Sequence, residues 1–386
     1  MRGGPRILIS AGEASGDRLG AGLARRLLER RPELELVGMG GPLMERAGVR
    51  LIQSSSELSV VGLWEVVAHL PAIRRAMATL TSALERFRPE LVVPVDYPDF
   101  NLRLAARARR RAIDVVYFVS PQVWAWRRGR VRRIRRLVRR MLVLFPFEAA
   151  FYRRAGVPVT FVGHPVVEPE ADPRSLAELR AAAGLDPQRE VVALVPGSRR
   201  SEVGRLLPPM LEAARRVLRR APGTQFLVPL APGLDPLPLR AAIARAGLEA
   251  VRLHPGDFPA ILAVCRAGAV ASGTASLEAA VAGLPMVVVY RMHPLSYALG
   301  RVLVRVEHIG LPNLVAGRRV VPELVQRECT PERIAAELLR YLEQPAERAS
   351  VVRALAEIPA RLGGPGAFER AADAVLAELA DRGTAA

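Results

Sequence analysis

Short apolar runs alternate with amphipathic stretches along the first half of the chain. Arg6–Ser10, Leu34–Gly38, Val49–Gln53, Leu91–Val95, Asp114–Val119, Met141–Leu144 and Val157–Val162 are the runs whose pattern predicts strands. Between them, Ser15–Arg31, Gly62–Phe87 and Asn101–Ala112 carry apolar residues at helical spacing with charge on the other face. Strands that alternate with helices in this way form a parallel sheet, because each return to the same edge needs a crossover. The segment Gly163–Arg174, with three prolines and three acids, reads as a linker. A second alternating set follows, with strands predicted at Val191–Val195, Gln225–Val228, Ala250–Leu253, Ala267–Ala271 and Pro285–Val289 and helices at Val203–Arg220, Leu237–Ala246, Phe258–Cys265 and Ala275–Ala282. From Pro331 the tail is helical, broken by Gly363, Gly364 and Gly366 before a last helix. The expected fold class is therefore α/β: two Rossmann-like, doubly wound domains over 1–165 and 166–360, facing each other across a cleft. A terminal helix over 361–386, with Phe368, Val375, Leu376 and Leu379, is compatible with a return to the first domain. Such domains bind ligands at the carboxyl ends of their strands, which places the expected site in the cleft.

Composition adjusts this picture in four ways. A chain of 386 residues, 50% hydrophobic, is long enough for two cores of ordinary size. The most apolar stretch, 269–290, is interrupted by Ser272, Gly273, Thr274, Glu278 and Pro285, and no signal-peptide core follows Met1, so the chain is expected in the cytoplasm. Cys265 and Cys329 stand alone, which predicts neither a disulfide nor a metal centre. The net charge of +18 is carried by 56 basic residues, all of them Arg, and implies an anionic partner. Arg127, Arg128, Arg130, Arg132, Arg133, Arg135, Arg136, Arg139 and Arg140 surround Val131, Ile134, Val138 and Met141 at helical spacing. With Trp124 and Trp126 beside it, this basic amphipathic stretch fits a membrane surface or a phosphate-bearing lipid, with Arg128, Arg132 and Arg135 facing it. Leu63, Trp64, Val66, Val67, Leu70 and Ile73 put apolar groups around more of one helix than a buried stripe needs; core packing is the default, and an exposed rim for lipid chains, with Trp64, Val66, Val67, Leu70 and Ile73 on it, the sharper expectation.

The chemistry-bearing residues sit where strands end. Ala11-Gly12-Glu13-Ala14-Ser15-Gly16-Asp17 follows the first strand; Ser15 or Asp17 reads first as a helix cap, whereas Glu13 stands where reactions are usually carried out. The run at Gly38–Pro42 imitates a dinucleotide fingerprint, but Leu43 replaces the third glycine, and no nicotinamide site is expected. Asp96 closes the fourth strand and is a general-base candidate, since a sugar hydroxyl needs a positioned carboxylate to take its proton. Asp99 either caps the next helix, with Asn101 as competitor for that place, or serves the acceptor side. In the second half, Gly197-Ser198-Arg199 before a helix makes either a seat for phosphate or a solvated turn. Ala271–Glu278 repeats the arrangement, and Glu278, in an otherwise apolar helix, is placed to accept ribose hydroxyls.

These residues lie within blocks that resemble the lipid-A-disaccharide synthase family: AGEASGD (11–17), SVVGLWEV (59–66), DYPDFN (96–101), YFVSPQVWAWRRGRV (117–131), LFPFE (144–148), FVGHP (161–165), PGSR with SEV (196–203), ASGTASLEAA (271–280), MVVVYRM (286–292) and LPNLVAGR with VVPELVQ (311–326). The resemblance implies a GT-B fold and an inverting transfer of 2,3-diacylglucosamine from its UDP derivative to 2,3-diacylglucosamine 1-phosphate, giving a β-1,6-linked disaccharide 1-phosphate and UDP. It implies Asp96 as the essential carboxylate and Glu13 and Ser15 beside the acceptor. It sets Arg199 against the diphosphate, Glu278 against the ribose, Gly273, Thr274, Asn313 and Gln326 on the rest of the donor, and Arg291 against leaving-group charge. No cofactor or metal is expected, because an Asp-x-Asp pair is missing and Asp96 and Asp99 are spaced differently. The expected location is peripheral, on the anionic cytoplasmic face of the inner membrane. Whether Asp96 or Glu13 takes the proton stays open, as does the oligomeric state, a homodimer being one option. Two rival readings are a UDP-sugar 2-epimerase of the same fold, which needs no acyl-binding rim, and a basic nucleic-acid-binding protein, for which no recognition motif is present.

Overall fold

The computed structural model describes residues 4–57, 63–121, 129–168, 174–256, 258–292 and 307–383. The chain divides into two compact units: Met1–Pro165 together with Gly363–Ala386, and Val166–Leu362.

In the first unit, strands β1 (Arg6–Ala11), β2 (Glu35–Gly40), β3 (Arg50–Ser54), β4 (Leu91–Val95), β5 (Asp114–Phe118), β6 (Arg140–Val143) and β7 (Val159–Phe161) alternate with helices. The helices are α1 (Ala14–Arg30), α2 (Pro42–Arg46), α3 (Leu63–Arg86), α4 (Pro98–Arg109), α5 (Arg130–Leu137) and α6 (Pro146–Arg154). The strands form a parallel seven-stranded sheet in the order β3-β2-β1-β4-β5-β6-β7. Successive residues feed opposite faces: Leu8, Val92, Val115 and Tyr117 join one buried cluster, while Ile7, Ile9, Val93, Val116 and Phe118 join the other. Both faces are covered, and that is why the strands read as continuous apolar runs rather than as an alternation.

The second unit repeats the plan. Helices α7 (Leu176–Ala182), α8 (Arg200–Arg220), α9 (Pro236–Ala246), α10 (Phe258–Val264) and α11 (Thr274–Val281) alternate with β8 (Val191–Val195), β9 (Gln225–Leu230), β10 (Val251–Pro255), β11 (Ala267–Ala271), β12 (Met286–Tyr290) and β13 (Glu323–Val325). The sheet order is β10-β9-β8-β11-β12-β13, again parallel. Several elements escape the hydrophobic pattern: α6 and α7, of nine and seven residues, are not among the expected helices, and α2, of five residues, and β13, of three, are too short to show a period. The basic stretch is also shorter as a helix than its spacing suggests, since α5 ends at Leu137 and Arg140 already opens β6.

The C-terminal helix Ala367–Gly383 belongs to the first unit. Its Ala371, Ala372, Val375 and Leu379 enter the same cluster as Ile7 and Val93. Its Glu378 is buried and accepts hydrogen bonds from the guanidinium groups of both Arg139 and Arg140, which hold its carboxyl below the usual glutamate range although burial opposes them. Arg139 also meets Asp114 at 3.1 Å. Replacing Glu378 by Ala leaves two half-buried guanidinium groups without this acceptor, so Glu378→Ala is expected to lower stability by about 2–3 kcal/mol. A chemical-denaturation curve measures this, and an unchanged midpoint would show that the apolar contacts alone seat the helix.

Candidate active site

Each sheet reverses its winding once, and such a switch point leaves a crevice at the carboxyl ends of two neighbouring strands. In the first unit the reversal falls between β1 and β4, where Ala11 is in register with Val95. The loops that leave these two strands carry Glu13 and Asp96. Asp96 and Tyr97 both adopt left-handed backbone, with φ of 45° and 48°. Three hydrogen bonds maintain this costly turn: Asp96 N–H donates to Phe118 O at 3.0 Å, and the Asp96 carbonyl accepts from Asn101 Nδ2 at 2.8 Å and Tyr117 Oη at 2.6 Å. Asn101 is fully buried and also braces Ser10 and the carbonyl of Val95. The Tyr97 ring lies so close to Gly12 that a Cβ there would sit 2.2 Å from it, which explains the glycine.

Desolvation, and next the charge of Glu13, push the Asp96 carboxyl up from 3.8 to about 6; the Tyr97 backbone N–H opposes them. A carboxylate tuned this close to neutrality can accept a proton from a hydroxyl, whereas an ordinary aspartate is too weak a base. Glu13 is exposed and stands at the N-cap of α1 without capping it.

Two expectations about caps are corrected. Asp17 does not cap its own helix: it is buried and accepts from the N–H groups of Gly41, Leu43 and Met44, so it caps α2 and holds the glycine-rich turn after β2. Ser15 is likewise no cap, but an exposed residue of the first turn of α1. Asp99 does not cap α4, whose N-cap is Tyr97; it pairs with Arg130 at 2.6 Å.

In the second unit the reversal falls between β8 and β11. The loop after β8 leads through Gly197, with φ of 107°, to Arg199 at the start of α8. A Cβ on Gly197 would approach a Glu202 carboxylate oxygen to 2.6 Å. Glu202 receives Arg199 Nη1 at 2.9 Å, which holds this mostly exposed guanidinium at the helix N-terminus. After the adjacent β11, Gly273 and Thr274 open α11, and Glu278 is half-buried one turn on. Arg291 follows β12, and Gln326 follows β13, so these residues share the carboxyl edge of four consecutive strands. Gln326 has φ of 53°, and its amide clasps both backbone polar groups of Met292, at 2.7 and 3.1 Å.

Asn313 differs from expectation. It is fully buried, and its amide bonds Val320 N, Val321 N, Val321 O and the Glu323 carboxylate. In this structure its amide braces the loop between Leu311 and Glu323. Tyr290, which sequence reasoning left out, ends β12 beside Arg199, Glu202 and Arg205; burial, and next Glu202, raise its hydroxyl while both arginines lower it. Its place at the end of a strand in the MVVVYRM block was the available signal.

Of the expected lipid-facing residues, Leu70, Arg132 and Arg135 are exposed, whereas Ile73 packs partly against the core of the first unit and leaves the rim. The side chains of Trp64, Val66 and Val67, and Arg128 altogether, lie outside the described residues.

Comparison with known proteins bears on this geometry. The family described as lipid-A-disaccharide synthetase matches residues 7–360. The lipid-A-disaccharide synthase of Geobacter metallireducens (strain ATCC 53774 / DSM 7210 / GS-15) is 49% identical over 374 residues, covering 97% of either chain. That of Myxococcus xanthus (strain DK1622) is 46% identical over 376 residues, 97% of this chain and 98% of its own. Among solved structures, UDP-GlcNAc 2-epimerase from Neisseria meningitidis, bound to UDP-GlcNAc, superposes with a TM-score of 0.65 at 14% identity, over 96% of this chain and 99% of that one. The calicheamicin glycosyltransferase CalG4 gives 0.59 at 19%, over 98% and 99%. These two likenesses speak to the fold, which is that of GT-B glycosyltransferases and epimerases.

The tuned aspartate has a consequence for stability. Between 3.8 and about 6 the native state holds the Asp96 proton more tightly than the unfolded chain, so its contribution falls as pH rises through that window. Asp96→Asn is therefore expected to stabilise the fold by about 1–3 kcal/mol at pH 8 and to change little near pH 4. Thermal melts at the two pH values measure the difference; a mutant no more stable at pH 8 would contradict the desolvated carboxylate.

Proposed function

The chain belongs to the lipid-A-disaccharide synthetase family and is a glycosyltransferase of lipid A biosynthesis, and on that premise we propose that it moves 2,3-diacylglucosamine from UDP-2,3-diacylglucosamine to 2,3-diacylglucosamine 1-phosphate. The observation that carries the mechanism is the desolvated Asp96, next to Glu13, at the winding reversal of the first sheet. In this reading the acceptor hydroxyl gives its proton to Asp96 while its oxygen forms the new bond to the donor's anomeric carbon. The bond from that carbon to the UDP oxygen breaks, and UDP leaves with the electron pair. One displacement inverts the anomeric centre. Asp96 is the base in preference to Glu13, because Asp96 is partly buried and its carboxyl is raised by that burial, while Glu13 is exposed.

Charge builds on the departing diphosphate. Arg199 and the backbone N–H groups that open α8 and α11 are fixed before reaction, so they stabilise that charge without reorganising. Glu278 takes the ribose hydroxyls, Arg291 supports the leaving group, and Gly273, Thr274 and Gln326 shape the remaining donor seat. Glu13, Ser15 and Asp99 stand on the acceptor side. The reaction is assigned to the cytoplasmic face of the inner membrane; no described helix is long and apolar enough to cross a membrane, and exposed Leu70, Arg132 and Arg135 suit contact with its surface. The epimerase alternative shares the fold alone, at 14% identity, whereas the synthases share nearly half of their residues.

Acceptor-dependent UDP release in detergent tests this. Wild type is expected to release UDP only when both lipids are present, with a rate that rises through an inflection near pH 6 as Asp96 ionises. Asp96→Ala should abolish release, and Arg199→Ala should lower kcat about 100-fold. Release from the donor alone, or epimerised donor, would overturn the assignment.

A further inference from the structure

One pocket of the first unit is lined by Pro98, Asp99, Leu102, Arg103, Arg130 and Arg133. It lies over the first turns of α4 and the start of α5, and α4 begins two residues after Asp96. Three guanidinium groups meet there with one acid. Asp99 spends its charge on Arg130, at 2.6 Å, and Arg133 is anchored through a single Nη2 to the carbonyl of Leu102 at 3.4 Å. Arg103 is exposed and has no ion-pair partner among the described residues. The lining therefore keeps a charge of +2, by three arginines less one aspartate. Other arginines of the first unit are satisfied internally: Arg109 pairs with Asp114, Arg111 with Glu85, and Arg139 and Arg140 with Glu378.

We propose that this pocket binds the phosphate of the acceptor substrate, with Arg103 and Arg130 as its principal ligands and Arg133 in support. A phosphomonoester carries close to two negative charges at neutral pH, which matches the uncompensated charge of the lining. Arginine forks bind such groups through paired N–H donors, and the N-terminal end of α4 adds a favourable dipole. Asp99 opposes an anion at close range, but by orienting Arg130 it sets one fork in advance. The proximity to Asp96 supplies the function: a sugar held by its phosphate at the first turns of α4 has its hydroxyl end within reach of the base. This proposal rests on the transfer reading for the identity of the phosphate, though not for the existence of the site.

The test is calorimetric titration of the full-length chain with N-acetylglucosamine 1-phosphate, a soluble phosphomonoester without acyl chains. Arg103→Gln and Arg130→Gln should each weaken its binding about tenfold or more while UDP binding stays unchanged. Binding equal to wild type in both variants, or no wild-type binding below about 10 mM, would overturn the proposal. A kinetic arm compares the phosphorylated acceptor with its dephosphorylated form: the variants should raise KM about tenfold to a hundredfold for the first only, and an equal rise for both counts against the site. A third arm separates acceptor from membrane phosphate, using phosphatidylglycerol vesicles. Unchanged vesicle binding is expected; lost vesicle binding with intact sugar-phosphate binding would reassign the arginines to lipid headgroups and overturn the proposal. If wild type released no UDP yet the titration differed as stated, the transfer reading would fail and the pocket would stand.

Discussion

The two left-handed residues at the end of β4 are the constraint on which the first unit's chemistry depends. Each such residue costs on the order of 1–3 kcal/mol, and nothing in Asp96 or Tyr97 prefers that backbone strongly enough to adopt it unaided. The buried amide of Asn101 and the hydroxyl of Tyr117, both on the Asp96 carbonyl, hold it in place. In consequence the Asp96 side chain ends up partly buried and within the field of Glu13, and its acidity follows from that position. The Tyr97 ring is turned onto Gly12, so the loop after β1 and the loop after β4 are shaped by each other.

Much of this was legible in the chain before any coordinates. Strands Leu91–Val95, Val191–Val195 and Ala267–Ala271 were bounded to the residue, because strands covered on both faces stand out as unbroken apolar runs. Asp96, Arg199 and Gly273 could be read as strand-end residues for the same reason. What stayed hidden was the partition of polar groups between ligand and scaffold. Asp17 and Asn101 read as caps of their own helices and Asn313 as a donor contact, yet their side chains are consumed by groups several residues or a whole strand away. Such pairings depend on which loops the sheet order brings together, a property that no local spacing encodes.

The arginines illustrate the same division. A sequence that spends all its positive charge on one residue type offers no compositional clue to which cations are structural. Within the basic stretch, Arg139 and Arg140 turn out to be anchors for a distant helix, Arg130 is a partner of Asp99, and Arg132, Arg135 and Arg136 remain at the surface. Net charge therefore overstates the electrostatic surface of this chain, and the uncompensated minority is what an anionic partner meets.

The place of Ala367–Gly383 in the first unit has a bearing on synthesis. The second unit is continuous in the chain, from Val166 to Leu362, whereas the first lacks its last helix until the whole of the second has been made. A nascent first unit would lack the helix that packs on α1 and β5 while the whole of the second unit is still being made. The order of emergence from the ribosome and the order of completion are thus reversed: the later unit is free to fold first, and the earlier one waits for a helix that follows it in the chain.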